Sequence, residues 1–312
     1  MYHANFNRPV KSRATRNEYL CSVAYIDTVG VFFRYMPKGI RRILEPVHGR
    51  PLRIDECVDE YGRVRGFRLT LHQPAISTLN ILDDLQRKYR GKLCRVDVAY
   101  DFSNHSRTWL ERHAIMRWRR RAPMLDEENG VYFIWQRGRR TRSGRDILMY
   151  DDRPSKKTGE LDVNHFELRL QNTETVRRQG FEYAGDLIDL NPKELFQKHV
   201  KLVEVDIEGI KWSIIRETLR DERLNHCSRR PKKVSSFMDQ FTDQWRAILP
   251  RRLPSQLDRL FRNRAQVIKD LFPNVIHKAK IIPVDVLGIP DRLDWGPLIS
   301  KDNFVNTGDI GV

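Results

Sequence analysis

Three carboxylates and a tyrosine recur in this chain in a pattern suited to phosphate chemistry. In "RVDVAYDF" (95–102) and "HFELRL" (165–170), polar and apolar residues alternate. Side chains on a strand point to opposite faces in turn. Asp97, Ala99 and Asp101 therefore share one face, and Val96, Val98, Tyr100 and Phe102 the other. In the second segment His165, Glu167 and Arg169 lie opposite Phe166, Leu168 and Leu170. If both strands join one sheet, Asp97, Asp101, Glu167 and His165 converge. Mg2+ and Mn2+ take oxygen ligands, and metal-assisted phosphoryl chemistry commonly uses two or three carboxylates. A third segment, "RDILMY" (145–150), ends in Tyr150, on the face of Asp146 and Leu148. A tyrosine hydroxyl beside a metal can act as a nucleophile toward phosphate. Simpler roles are open to the same residues. Asp97 and Asp101 could pair with arginines, Glu167 with Arg169, and Tyr150 could be a strand-end aromatic with its hydroxyl in water.

Strands must position these side chains. "LCSVAYIDTVGVFFRY" (20–35) reads as one or two strands, with a turn between Asp27 and Gly30 as an option. Residues 51–73 read as a hairpin turning at "EYGR", and 75–89 carry Ile76, Leu79, Leu82 and Leu85 at helical spacing. The pattern predicts a strand over 92–102, a helix over 106–121 and a hairpin of 130–136 with 145–150. An alternating strand over 163–171 and a helix starting within 172–181 follow. The fold class expected is α+β. A flexible basic arm (1–17) precedes a domain with a mixed or antiparallel sheet and helices (18–180). A mainly helical region for DNA recognition or dimerisation (181–280) and an irregular tail (281–312) come after it.

Lys and Arg number 57 against 41 Asp and Glu, a net charge of +16, which predicts attraction to a polyanion, nucleic acid first. Arginine, whose planar fork suits phosphate, supplies most of the excess. The stretch "RGRRTRSGR" holds Arg137, Arg139, Arg140, Arg142 and Arg145 without one acid, and reads as a DNA-contacting loop. No run approaches the ~18 apolar residues of a membrane helix, so no membrane partner is expected. Cys21, Cys57, Cys94 and Cys227 have no zinc-type spacing and read as free thiols. With no apolar signal core at the N-terminus, the expected location is cytoplasmic. His72, His105 and His113 form no His-x-His pair, which argues against a nuclease with a two-histidine metal site.

In this order, "RVDVAYDF", "DILMYDDR" (146–153) and "HFELRLQ" (165–171) resemble the replication initiation factor family, rolling-circle initiators of certain plasmids and filamentous phages. The resemblance covers about residues 92–172. Arg95, Asp97, Ala99 and Asp101 match its Arg-x-Asp-x-Ala-x-Asp pattern, and Glu167 and Arg169 match its Arg-x-Glu-x-Arg pattern. His165 stands where Arg is usual. Asp152 stands where Lys commonly follows the tyrosine, with Arg153 one position later. The resemblance implies an endonuclease and strand transferase that nicks and rejoins origin DNA, single-stranded or supercoiled duplex. Tyr150 becomes joined to the 5′ phosphate, and the freed 3′ hydroxyl primes synthesis. It further implies Asp97, Asp101 and Glu167 as ligands of Mg2+ or Mn2+, with Arg153 and Arg169 beside the nucleophile. A homodimer and a host helicase are partners to expect. Two competing readings are a non-catalytic DNA-binding regulator of a mobile element and an RNA-binding protein that stacks bases on Tyr132, Phe133 and Trp135.

Overall fold

The computed structural model describes residues 20–103, 109–110, 112–116, 124–126, 131–134, 144–150, 153–206 and 279–296. Strand β1 (Cys21–Phe33) is β-branched, aromatic or small along nearly its whole length and is buried on both faces. That composition suits a central strand, so one strand runs through the position where a turn was an option. Its register with its neighbour shifts between Ile26 and Thr28. Asp27 sits at this bulge, which re-aims a side chain without ending the pairing.

After β1 come α1 (Ile40–His48), β2 (Arg53–Val58), β3 (Val64–His72), α2 (Ile76–Tyr89) and β4 (Lys92–Ser103). Short strands β5 (Ala114–Met116), β6 (Met124–Asp126) and β7 (Val131–Ile134) lead to β8 (Arg145–Tyr150), β9 (Val163–Gln171) and α3 (Thr173–Arg177). Helix α4 (Pro192–His199) runs into β10 (Val200–Glu204), and β11 (Lys280–Ile282) follows. The main sheet has the order β2-β3-β1-β4-β9-β8-β7-β6, and every described pairing is antiparallel. A second sheet has the order β11-β10-β5.

One face of the main sheet is the core. Val96, Val98, Tyr100 and Phe102 of β4 meet Phe166, Leu168 and Leu170 of β9 there, with Leu79 and Leu82 of α2 and Phe196 of α4. Tyr100, Phe102, Phe166 and Phe196 form an aromatic cluster with ring centroids 5.1–6.5 Å apart. The Tyr100 hydroxyl donates to the Pro192 carbonyl at 2.9 Å, so it is spent inside the core.

The α+β class with an antiparallel sheet is observed. Several local expectations are corrected. Within 106–121 the described helical residues stop at His113, and 114–116 pair with β10 as a strand. The helix expected from 172 is only Thr173–Arg177, capped by Asn172, whose Oδ1 accepts from the Thr175 amide at 2.8 Å. Beyond 180, "VKLVE" is a strand because β5 and β11 flank it. Core packing also runs across position 180, since Leu187, Phe196, Leu202 and Val284 belong to the same cluster as Val98. The basic arm, the helical pattern over 207–278 and the last residues of the tail lie outside the described residues.

Truncating Phe166 removes a ring that touches three others. Phe166→Ala should lower stability by about 3–5 kcal/mol, read as a fall in the urea midpoint; an unchanged midpoint would show that the cluster does not hold the sheet.

Candidate active site

The other face of the sheet carries the polar residues, and the register lines them up in rows. Asp101 lies across from His165, and His165 from Tyr150. Ala99 lies across from Glu167, Glu167 from Leu148, and Tyr25 of β1 flanks Ala99. Asp97 lies across from Arg169, and Arg169 from Asp146. Alternation thus brings Asp97, Asp101, Glu167, His165, Arg169 and Tyr150 onto one surface, as expected.

These residues divide into two clusters. Asp97 has no solvent exposure. Its Oδ2 accepts from Arg95 through Nε at 2.8 Å and Nη2 at 2.5 Å, with Arg169 Nε 3.8 Å away. Arg169 also donates through Nη2 to Glu167 Oε2 at 2.8 Å. Burial pushes the Asp97 carboxyl up to about 7; Glu167 adds to the rise and Arg95 opposes it. Its Oδ1 is buried without a hydrogen-bond partner.

The second cluster is built around Asp101. Its Oδ1 lies 2.7 Å from His165 Nδ1, and its Oδ2 accepts from Ser155 Oγ at 2.5 Å. His165 Nε2 lies 2.8 Å from the Arg153 carbonyl. A carbonyl only accepts, so Nε2 carries a proton, and Nδ1 faces a carboxylate. Both positions suit imidazolium. Burial pushes the His165 pKa down, but the hydrogen bond and charge of Asp101 outweigh it and the net shift is upward.

Tyr150 closes this row. Its ring stacks on His165, with centroids 4.8 Å apart and planes 28° apart, and the Arg153 guanidinium sits 5.9 Å from the ring centre. The side chain is half-buried. Burial, then the charges of Glu167, Asp27 and Asp101, push its hydroxyl well above the ordinary tyrosine range, with Arg169 opposing. The phenol is therefore protonated at neutral pH, and a nucleophilic role requires a base.

Sequence reading missed the loop that covers this face. Residues 153–160 fold back from β8, closed by Ser155 N–H to the Glu160 carbonyl at 2.8 Å. The loop delivers Ser155 to Asp101 and Lys156 Nζ to Asp27 Oδ1 at 2.6 Å. Burial raises the Asp27 carboxyl, but Lys156 together with hydrogen bonds from Gln73 and Thr28 outweighs this and holds it below the usual range. The only signal for Asp27 was an acid inside an otherwise apolar strand.

The expected metal ligands share the face but not one point on it. Asp97 and Asp101 are four residues apart on β4, about 13 Å at the usual rise per residue, with Glu167 diagonally between them. Among the described residues no group of three or more His, Cys, Asp and Glu is placed to hold an ion. The simpler pairings, Asp97 with arginines and Glu167 with Arg169, are formed. Arg145 lies outside the cluster. It alternates to the other face of β8, and the charges that act with it are those of Arg178 and His199. Arg137, Arg139, Arg140 and Arg142 lie outside the described residues. The arginine-rich stretch re-enters at Gly144, with φ +58° and its carbonyl accepting from the Gln171 amide at 2.5 Å. A Cβ there would lie 2.0 Å from the Gln171 carbonyl oxygen, so only glycine fits. No helix among the described residues is long and apolar enough to cross a membrane. Comparison with protein-family profiles, characterised proteins and solved structures finds no match to this chain.

The upward shift of His165 fixes a pH dependence. Folding favours its protonated form, so its contribution is complete below the ordinary value near ~6.5 and is lost as pH rises through the higher folded value. The unfolding free energy of the parent minus that of His165→Gln should be largest near pH 5.5 and shrink toward pH 8.5. A gap that widens with pH would contradict the His165–Asp101 ion pair.

Proposed function

We propose that the chain is a DNA nicking and strand-transfer enzyme of the rolling-circle initiator type, acting in the cytoplasm on origin DNA. The observation that carries this reading is the placement of half-buried Tyr150 on the same sheet face as Glu167, Arg169 and the His165–Asp101 pair. Tyr150 Oη attacks the phosphorus, the bond from phosphorus to the 3′ oxygen breaks, and the 5′ phosphate is left as a tyrosyl ester. The nucleophile's proton passes to Glu167, whose charge acts most strongly on the Tyr150 hydroxyl. The leaving 3′ oxygen takes up a proton from solvent. Arg153 and Arg169 stabilise charge on the non-bridging oxygens. Attack by the 3′ hydroxyl on the ester reverses these steps and frees Tyr150.

The three carboxylates are spread along the face, and two of them are the candidates for holding one divalent ion. Asp97 Oδ1 is buried and unpartnered, and the Glu167 charge acts on it. Asp97 and Glu167 would hold Mg2+ or Mn2+, which would supply charge stabilisation to a phosphate when bound. A second copy and a host helicase are proposed partners in replication.

A non-catalytic DNA-binding regulator is the second reading. It is favoured by the fact that Asp97, Asp101 and Glu167 each already have a charged partner.

Incubation with supercoiled and single-stranded DNA of its own replicon, with Mg2+ or Mn2+, should give a covalent protein–DNA adduct that maps to Tyr150. Tyr150→Phe should remove the adduct and leave DNA retention intact. An adduct that survives Tyr150→Phe would end the assignment, and binding without any adduct or nick would favour the regulator.

A further inference from the structure

Two clefts share one lining residue, the first at the far end of the Tyr150 face and the second beside α2 and α3. The first, about 500 Å³, is lined by Phe32, Arg68, Arg95, Gln171, Asn172 and the free cysteines Cys57 and Cys94, among others, with no carboxylate on its wall. The second, about 270 Å³, is lined by Arg87, Arg90, Lys92 and Arg177, with Glu182 as its one acid. Thr173, the first residue of α3, lines both, so the clefts adjoin. We propose that they form one track that carries the sugar–phosphate backbone of a single DNA strand away from Tyr150. This rests on the nicking reading for its direction and strand.

Four observations converge on a polynucleotide. First, Arg90, Lys92 and Arg177 are exposed and make no ion pair with any described residue. Uncompensated cations in a groove are what a chain of phosphates neutralises, with release of counterions. By contrast, Arg68 and Arg87 already pair with Asp55 and Asp83. Second, Phe32 is half-buried at the wall of the first cleft, directly across from Arg68 in the sheet register. An aromatic face beside a guanidinium is a platform for any base. Third, the wall between the two charged stretches is neutral and polar, made of Gln171, Asn172 and Thr173, with Gln171 held by Asp146 and Asn172 by its cap on α3. Fourth, the track is continuous with the site. Gln171 lies six residues along β9 from His165, the residue across from Tyr150, and that separation is about 20 Å. It is too long for one nucleotide and suits several. Arg95 belongs both to the first cleft and to the Asp97 cluster, so it joins the two.

The cysteines provide a reporter. Cys57 and Cys94 line the cleft and are each partly exposed, and burial pushes the Cys94 thiol up to about 11, so Cys94 reacts slowly. Maleimide labelling of Cys57 in the full chain should slow at least five-fold when a saturating single-stranded oligonucleotide long enough to span both clefts is bound. Fluorescence anisotropy with the same oligonucleotide should show Arg90→Glu/Arg177→Glu binding at least ten-fold more weakly. The slope of log affinity against log salt should fall by about 1.4 for the two lost phosphate contacts. Arg90→Gln/Arg177→Gln, with its unfolding midpoint checked, should show the same direction with a smaller loss. Tyr150→Phe should bind and protect Cys57 as the parent does. Unprotected Cys57 together with unchanged affinity in both double variants would overturn the track. Inorganic phosphate competing as well as the oligonucleotide, phosphate for phosphate, would overturn it too, because it would indicate isolated anion sites. If no adduct forms at Tyr150 but the variants weaken binding and Cys57 is protected, the nicking reading falls and the strand track stands.

Discussion

A carboxylate with no access to water needs a countercharge inside the protein, and removing one partner of such a pair destabilises by about 3–5 kcal/mol. Three such carboxylates, Asp97, Asp101 and Glu167, sit on one face of this sheet. Asp97 is met by Arg95 on its own strand and Arg169 on the next, Glu167 by Arg169 on its own strand, and Asp101 by His165 of the next strand and Ser155 of the loop that leads into it. The antiparallel register of β4 with β9 places Arg169 opposite Asp97 and His165 opposite Asp101. A slip of β9 by one residue would turn His165, Glu167 and Arg169 into the aromatic core and Phe166 outward. The register is therefore held from both sides: by apolar packing on one face and by charge compensation on the other. Everything proposed for the site inherits its geometry from that single alignment.

The compensation is local, and this shapes the chemistry. Arg95, Asp97, Arg169 and Glu167 form a group of two cations and two acids, while Asp101 is satisfied by His165 and Ser155. Tyr150 belongs to the second group by stacking and to the first by electrostatics. Of the described tyrosines on β1, β4 and β8, Tyr150 is the one left half-buried, because Tyr25 is buried and Tyr100 is bound within the core. The loop over 153–160 completes the arrangement, bringing basic residues to a face whose strands are acidic.

Much of this was legible in the alternation of "RVDVAYDF" and "HFELRL". Period-two patterning fixes which side chains share a face, and the long apolar strands announce themselves by composition. Alternation is silent on spacing along the face. Asp97 and Asp101 read as partners because they point the same way, yet the strand rise holds them apart. Nor does a local pattern reveal contacts between distant positions. Ser155 meets Asp101 across 54 positions and Lys156 meets Asp27 across 129. The same limit explains the short strands: "VKLVE" follows directly on α4 and becomes β10 because β5 and β11 lie beside it. Arg145 shows the reverse case. Its place in an arginine run suggested a loop residue, whereas it begins β8 and parity puts it on the face opposite Tyr150.

Gly144 separates two kinds of constraint. It is clamped to the end of β9 and admits no side chain, so the arginine-rich segment before it is joined to the sheet by a fixed rivet. Length and charge upstream of that point can drift without disturbing β8, and the alignment of Tyr150 with His165 is insulated from them. The residues before Gly144 could thus be exchanged while the face that carries Tyr150 and His165 stays unchanged. The glycine is the seam along which such an exchange would be made.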